Sequence, residues 1–267
     1  MFVVKLILII LLSISYFVYG APKVVLNEVK MDKYPPAFAH GSIQEVLPDI
    51  FFVTGASIFE HEGKVIQKSN NMVIVRDDEE LTLINTLRLN KDGLKALDKL
   101  GKVVNIIRLG AFHDRNDVFY LDRYKAKLWA VRGMINKNNR QADFLIGDTE
   151  KAPSPDITFF RFETTSQPEA IVYIARHGGV MITCDSIKNW TKIDEYFSEN
   201  TGEEFLKQGL IKPVSVDKVW LGAMTPKKSD FMRLKKLKVR HFFSAHGQPI
   251  IDTANQQLMP VLEKLSK

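Results

Sequence analysis

Three apolar runs in this chain stop just short of a histidine or an acid. Val103 to Leu109 leads into Gly110-Ala111-Phe112-His113-Asp114-Arg115-Asn116-Asp117, Gly179 to Cys184 ends at Asp185, and Phe242-Phe243 leads through Ser244-Ala245 to His246-Gly247. Short apolar runs bounded by glycine and polar residues read as buried strands. If these are strands of one sheet, their carboxyl ends gather at a single edge, where His113, Asp117, Asp185 and His246 face one another. Imidazole nitrogens and carboxylate oxygens meeting at one point form a candidate cradle for one divalent ion, zinc by preference over iron or manganese, with a water left to be activated.

The patterning around these runs sets the fold. After a lead containing Pro35-Pro36, alternation predicts strands over Ile50 to Val53, Lys64 to Gln67, Met72 to Arg76 and Leu81 to Asn85, broken at Gly55, Gly63, Asn70-Asn71 and Asp77 to Glu80. These make an antiparallel meander. From Asn90, a plausible N-cap, the period becomes helical until Gly101, and the strand Val103 to Leu109 returns. A helix is expected over Asp117 to Tyr124 and a strand over Lys127 to Val131, then a long surface loop over Gly133 to Pro155. The second half predicts strands at Ile157 to Phe162, Ala170 to Ala175, Val180 to Thr183, Val219 to Leu221 and His241 to Ser244. Helices are expected over Ile193 to Leu210, Ser229 to Leu237 and Thr253 to Leu265. Two sheets face to face with helices outside would bury these runs, and no Pro, Gly or Ser linker divides them into two domains.

Composition narrows the function classes. With 45% hydrophobic and 25% charged residues, nothing suggests disorder. Cys184 is the single cysteine, which excludes an intrachain disulfide and any zinc site built on cysteine pairs. Without a matched base in sequence it reads as a small buried apolar residue. The net charge of +6 is spread along the chain. Its densest stretch, Arg233 to Arg240, has no interleaved aromatic residue and reads as a solvated helix face, so no nucleic-acid partner is expected. The expected partner is a small-molecule ligand or substrate.

The first twenty residues read as an export signal. Lys5 precedes an apolar stretch from Leu6 to Val18 that is shorter than a spanning helix, and Gly20-Ala21 offers small residues for cleavage. The expectation is a secreted or extracytoplasmic protein beginning near Ala21, with no stable membrane insertion after cleavage and residues 21–267 forming one domain. In a eukaryotic host, Asn189-Trp190-Thr191 would be a glycosylation sequon.

The order of these elements resembles the metallo-β-lactamase superfamily over most of the chain. Asn71 to Val75 followed by Leu81 to Thr86 looks like its opening strand pair, with Asn85 where the family usually has Asp. The family signature His-x-His-x-Asp-His falls on the Gly110 segment: His113 takes its first position and Asp117 its Asp, while Arg115 and Val118 stand at the other two histidines. Asp185 takes the place of the metal-bridging acid and His246 that of the closing histidine. The stretch Thr164 to Glu169 contains no counterpart of the remaining histidine.

The resemblance implies an α+β, four-layer αββα sandwich with a reduced metal site of His113, Asp117, Asp185 and His246. It leaves two functions open. One is a metal-dependent hydrolase of an ester, lactone or amide, with Asp117 as ligand or base. The other is a non-catalytic exported binding protein in which Arg115 replaces the metal by pairing with Asp117 or Asp185. Taken singly, His113 and His246 also read as strand-end histidines bonded to backbone, and Asp117 and Asp185 as helix caps. Specificity is expected from Gly133 to Pro155 and Thr191 to Gly209.

Overall fold

The computed structural model describes residues 33–135, 140–147 and 151–267. The expected export segment 1–20 lies outside them. The first sheet contains β1 (Gln44–Leu47), β2 (Ile50–His61), β3 (Lys64–Asp77), β4 (Glu80–Ile84), β5 (Lys102–Arg108), β6 (Lys127–Val131) and β7 (Phe144–Ile146), hydrogen-bonded in that order. Pairing is antiparallel up to β4 and parallel beyond it. The change of direction follows from α1 (Lys91–Leu100) and α2 (Asp117–Tyr124), which carry the chain back across the sheet between successive parallel strands. Asn90 caps α1 as its sequence predicts, its side chain accepting from the amides of Asp92 and Gly93.

The second sheet is built from β8 (Ile157–Arg161), β9 (Ala170–Ile174), β10 (Val180–Thr183) and β13 (His241–Ser244), in the order β13-β10-β9-β8. Between β10 and β13 the chain forms a small ribbon of β11 (Lys188–Trp190) and β12 (Lys212–Ser215), with α3 (Glu199–Lys207) between them. Helices α4 (Lys218–Met224) and α5 (Lys228–Leu234) follow, and α6 (Ala254–Leu265) closes the chain.

Period-two alternation sorts the strand residues into layers. Val73 and Val75 of β3 face the second sheet and meet Val172, Ile182 and Phe243, whereas Met72 and Ile74 face outward onto Leu97 of α1 and Tyr120 of α2. On the far side Met181 and Phe242 meet Trp220, Phe231 and Leu258 from α4, α5 and α6. The result is the expected αββα sandwich. Each wholly buried Ile, Leu or Phe in it contributes about 1.5–3 kcal/mol of transfer free energy.

Several expected elements are corrected. β3 runs unbroken through Asn70-Asn71, because Asn71 reaches the other sheet: its side-chain amide donates to the carbonyls of Ser244 (3.0 Å) and Gly247 (2.6 Å). The segment expected as a loop from Gly133 contains β7, held parallel to β6 by three paired positions. The expected strand at Val219 to Leu221 is instead α4, capped by the Asp217 side chain accepting from the Trp220 amide at 2.8 Å. The helix expected from Ile193 begins only after Ser198, which accepts from the Thr201 amide.

Candidate functional site

Strand register brings two of the four candidate residues together. β10 and β13 are parallel, with Thr183 opposite Ser244, so Asp185 and His246 each lie two residues past the last paired position. His246 Nε2 stands 3.0 Å from Asp185 Oδ1. His113, in the loop between β5 and α2, comes to the other carboxylate oxygen, with Nε2 3.3 Å from Asp185 Oδ2. The two imidazoles cross edge to face at 5.0 Å between centroids, and Trp190 lies on His246 at 4.7 Å. Gly247 is required here: it has φ +88°, and a Cβ would fall 2.0 Å from the Asn189 carbonyl oxygen.

Asp117 is placed elsewhere. It is buried at the start of α2, its Oδ1 accepts from Thr86 Oγ1 at 2.6 Å, and its Oδ2 has no hydrogen-bond partner. Burial pushes its pKa up to about 6, so the carboxyl takes up a proton as the pH falls through 6. Arg115 pairs with neither Asp117 nor Asp185. Its guanidinium donates to the carbonyl of Ile58 in β2, which corrects the expectation that Arg115 replaces a metal.

The cations at the site are two lysines that sequence reasoning missed. Lys68 of β3 places Nζ 3.3 Å from His246 Nε2. Burial lowers its pKa to about 8, an effect that the charge of Asp185 only partly offsets. Lys188, at the start of β11, lies 2.9 Å from Asp217 Oδ2 and 3.7 Å from Asp185 Oδ1. Burial alone would lower Lys188, but these two carboxylates raise it. Burial alone would likewise raise Asp185, yet His113, His246 and Lys188 hold it well below the usual carboxylate range. His246 is held well below its ordinary value by burial and by Lys68, and is therefore neutral.

Glu169 and Cys184 stand behind this cluster. Glu169 accepts from the Ser186 amide at 2.7 Å and from Trp220 Nε1 at 2.8 Å, which fixes the turn carrying Asp185. Burial, then the charge of Asp185, pushes its pKa up to about 7. Cys184 is buried as its sequence reading predicts. Its Sγ is 3.9 Å from Asp185 Oδ2, and a Cβ on Gly110 would come within 2.6 Å of it. Burial raises this thiol well above its ordinary value.

In front of the cluster opens a cavity of about 620 Å³. Ser57, Phe59 and His61 of β2 and Lys68 and Asn70 of β3 form one wall at period-two spacing, while Phe112, His113, Val219 and Trp220 lie around the rest. Neither 140–147 and 151–155 nor 191–209 contributes to its lining, so the expectation that the two long segments set specificity is not met among the described residues.

No protein-family model and no curated protein matches the sequence. Solved structures do match. The DIM-1 metallo-β-lactamase exposed to ceftazidime superposes with a TM-score of 0.54 at 14% identity, covering 86% of this chain and 98% of its own. The FIM-1 metallo-β-lactamase from Pseudomonas aeruginosa, in its mono-zinc form, gives 0.55 at 14% identity over 86% and 98%. The metallo-β-lactamase from Pontibacter korlensis gives 0.51 at 10% identity over 83% and 98%. This chain has the metallo-β-lactamase fold. At such identity the likeness carries the fold, while activity has to be argued from the site.

In this fold the four residues expected at the site, His113, Asp117, Asp185 and His246, do not together fit the family's metal. A ligating imidazole must offer a bare lone pair, but His246 Nε2 faces Asp185 Oδ1 at 3.0 Å and Lys68 Nζ at 3.3 Å, so it either donates to the carboxylate or accepts from the ammonium, and is engaged in both tautomers. The negative charge that would hold a cation is already paired with Lys188 at 3.7 Å, and a second ammonium, Lys68, stands beside His246. Arg115 and Val118 cannot coordinate, and Asp117 is turned to Thr86. His246 is therefore not a metal ligand in this arrangement, and no chemical step is derived through an ion held by it.

Proposed function

We propose that this protein binds, without a metal ion, a small molecule bearing an anionic or carbonyl oxygen. The observation that carries this reading is the Lys68 ammonium set at 3.3 Å against His246, the residue to which the resemblance gives the role of a metal ligand. Among the described residues Lys68 has no other hydrogen-bond contact, and it lines the cavity with N–H donors left for a ligand. A charge-assisted hydrogen bond there is worth about 1.5–3 kcal/mol. Phe112 and Val219 at the cavity are 64% and 54% exposed, and a ligand with an apolar body would cover them. Titrating chelator-treated protein with a panel of small carboxylates, phosphates and lactones tests this. Binding that weakens about tenfold or more in Lys68→Met supports it, and binding seen only after zinc is added contradicts it. As part of the same reading, the protein is exported and begins near Ala21, which N-terminal sequencing of secreted material checks.

A second reading, a one-ion hydrolase of an ester, lactone or amide, is favoured by a different observation. His113, Cys184 and Asp185 bring a nitrogen, a sulfur and an oxygen within 4.8 Å of one another. That donor set suits zinc, although it requires the buried Cys184 to ionise. A Cys184→Ala variant separates the readings, since only the second requires the thiol.

A further inference from the structure

We propose that Arg88 and Arg115 form a site for a small monovalent anion, chloride or a single carboxylate group, in a niche beside the main cavity. The site goes beyond the binding reading above and stands without it, because Lys68 does not line the niche. Three segments meet there: β2 contributes Ser57, the chain between β4 and α1 contributes Arg88, and the approach to α2 contributes Arg115 and Asn116. Pro36 and Phe38 add apolar wall, which strengthens any charge interaction inside. The space itself is about 10 Å³, that of one water-sized body.

Two guanidinium groups line this niche and no acid does. Among the described residues neither arginine takes part in an ion pair. Arg88 donates through Nη1 to the Leu89 carbonyl at 2.9 Å, and Arg115 donates through Nη1 to the Ile58 carbonyl, so each meets only a backbone oxygen. The acids on either side of Arg115 are engaged elsewhere, Asp114 at 3.9 Å from Arg108 and Asp117 with Thr86. Arg88 is also held in place, its guanidinium carbon 3.2 Å from the centroid of the Phe119 ring, and its buried Nε has no hydrogen-bond partner. A buried N–H without an acceptor calls for a water or an ion. Guanidinium charge decides for the ion: two like charges at one niche repel, and an anion beside both removes the repulsion and receives charge-assisted hydrogen bonds. The Ser57 hydroxyl offers a further donor on the same wall.

The test treats the full chain with phenylglyoxal, which adds to guanidinium groups, in chloride-free buffer and with sodium chloride or sodium glutarate, read by peptide mass spectrometry. Labelling of Arg88 and Arg115 should slow saturably as the anion is added, on the order of tenfold at high occupancy. The other arginines report the general effect of salt and should change little. Protection by chloride identifies a free halide as the occupant. Protection by glutarate without protection by chloride identifies the carboxylate of a ligand seated in the main cavity, which shares Ser57, Arg115 and Asn116 with the niche. Arg88→Gln should abolish the protection of Arg115. Lys68→Met should leave it intact, so this site and the binding reading at Lys68 fail separately. Equal slowing at every arginine, or none at Arg88 and Arg115 with either salt, overturns the proposal, and the wild-type comparison decides even if a variant fails to fold.

Discussion

His246 Nε2 lies 3.0 Å from Asp185 Oδ1 and 3.3 Å from Lys68 Nζ, so one imidazole nitrogen stands between an acid and an amine and bonds one or the other with its tautomer. The arrangement follows from two features of the fold. Parallel pairing of β10 with β13 sets the acid beside the histidine, and the unbroken β3 carries Lys68 across to them. A chain that places its own amine at this point has no need of an external cation to neutralise Asp185.

The second ammonium is the structural one. Lys188 bridges Asp217 and Asp185, and both it and Asp217 are almost enclosed, with side-chain exposures of 13% and 3%. Lys188→Met leaves the buried Asp217 without its counter-charge and should cost about 3 kcal/mol in urea unfolding, against a much smaller change for Lys68→Met.

Arg115 should behave differently from both lysines. Its guanidinium bonds a backbone carbonyl and holds no acid of the site, so Arg115→Ala should cost no more than about 1.5 kcal/mol and leave zinc affinity unchanged. Thermal unfolding with and without zinc checks both parts.

Asp117 gives a pH signature. Its folded pKa of about 6 lies above the ordinary 3.8, so between those values the folded protein holds a proton that the unfolded chain has lost. The stability this confers is complete below pH 4 and is lost as the pH rises through 6. Asp117→Asn removes that loss, so its stability relative to wild type should improve by about 1–3 kcal/mol from pH 4 to pH 8. A pH-independent difference in urea melts would show that the carboxyl does not titrate with folding.

Much of the architecture is legible in sequence because it rests on local patterns. The Asn90 cap, the period-two runs and the residues just past β10 and β13 all follow from side-chain alternation and capping chemistry. Lys68 escaped because Asn70-Asn71 reads as a turn. Only the tertiary bonds from Asn71 to the carbonyls of Ser244 and Gly247 turn that pair into mid-strand residues. Had the strand been continued, the alternation of Lys68 with Asn70, with Ser57 opposite Lys68, would have marked an inner wall. Glu169 was hidden for a similar reason: its partners Ser186 and Trp220 are distant in sequence. Val219 misled because a cap by Asp217 outweighs the strand preference of one β-branched residue.

The sequon at Asn189 is closed by the fold. Its amide donates to the Gln248 carbonyl at 2.8 Å and its oxygen accepts from the Val214 amide at 3.2 Å, with the residue buried. No glycosidase-dependent mass shift is expected in folded protein, and Asn189→Gln should destabilise by about 1–3 kcal/mol in thermal or urea unfolding.

Zinc content decides the central claim, that Lys68 occupies the place of a metal ion. Wild type and Lys68→Met are each loaded with zinc, freed of excess by desalting and analysed for metal per chain. The account predicts far less than one ion in wild type and a gain towards one in the variant, where His246 and Asp185 are released to join His113 as ligands. One tightly held ion per wild-type chain, unchanged by Lys68→Met, would contradict it.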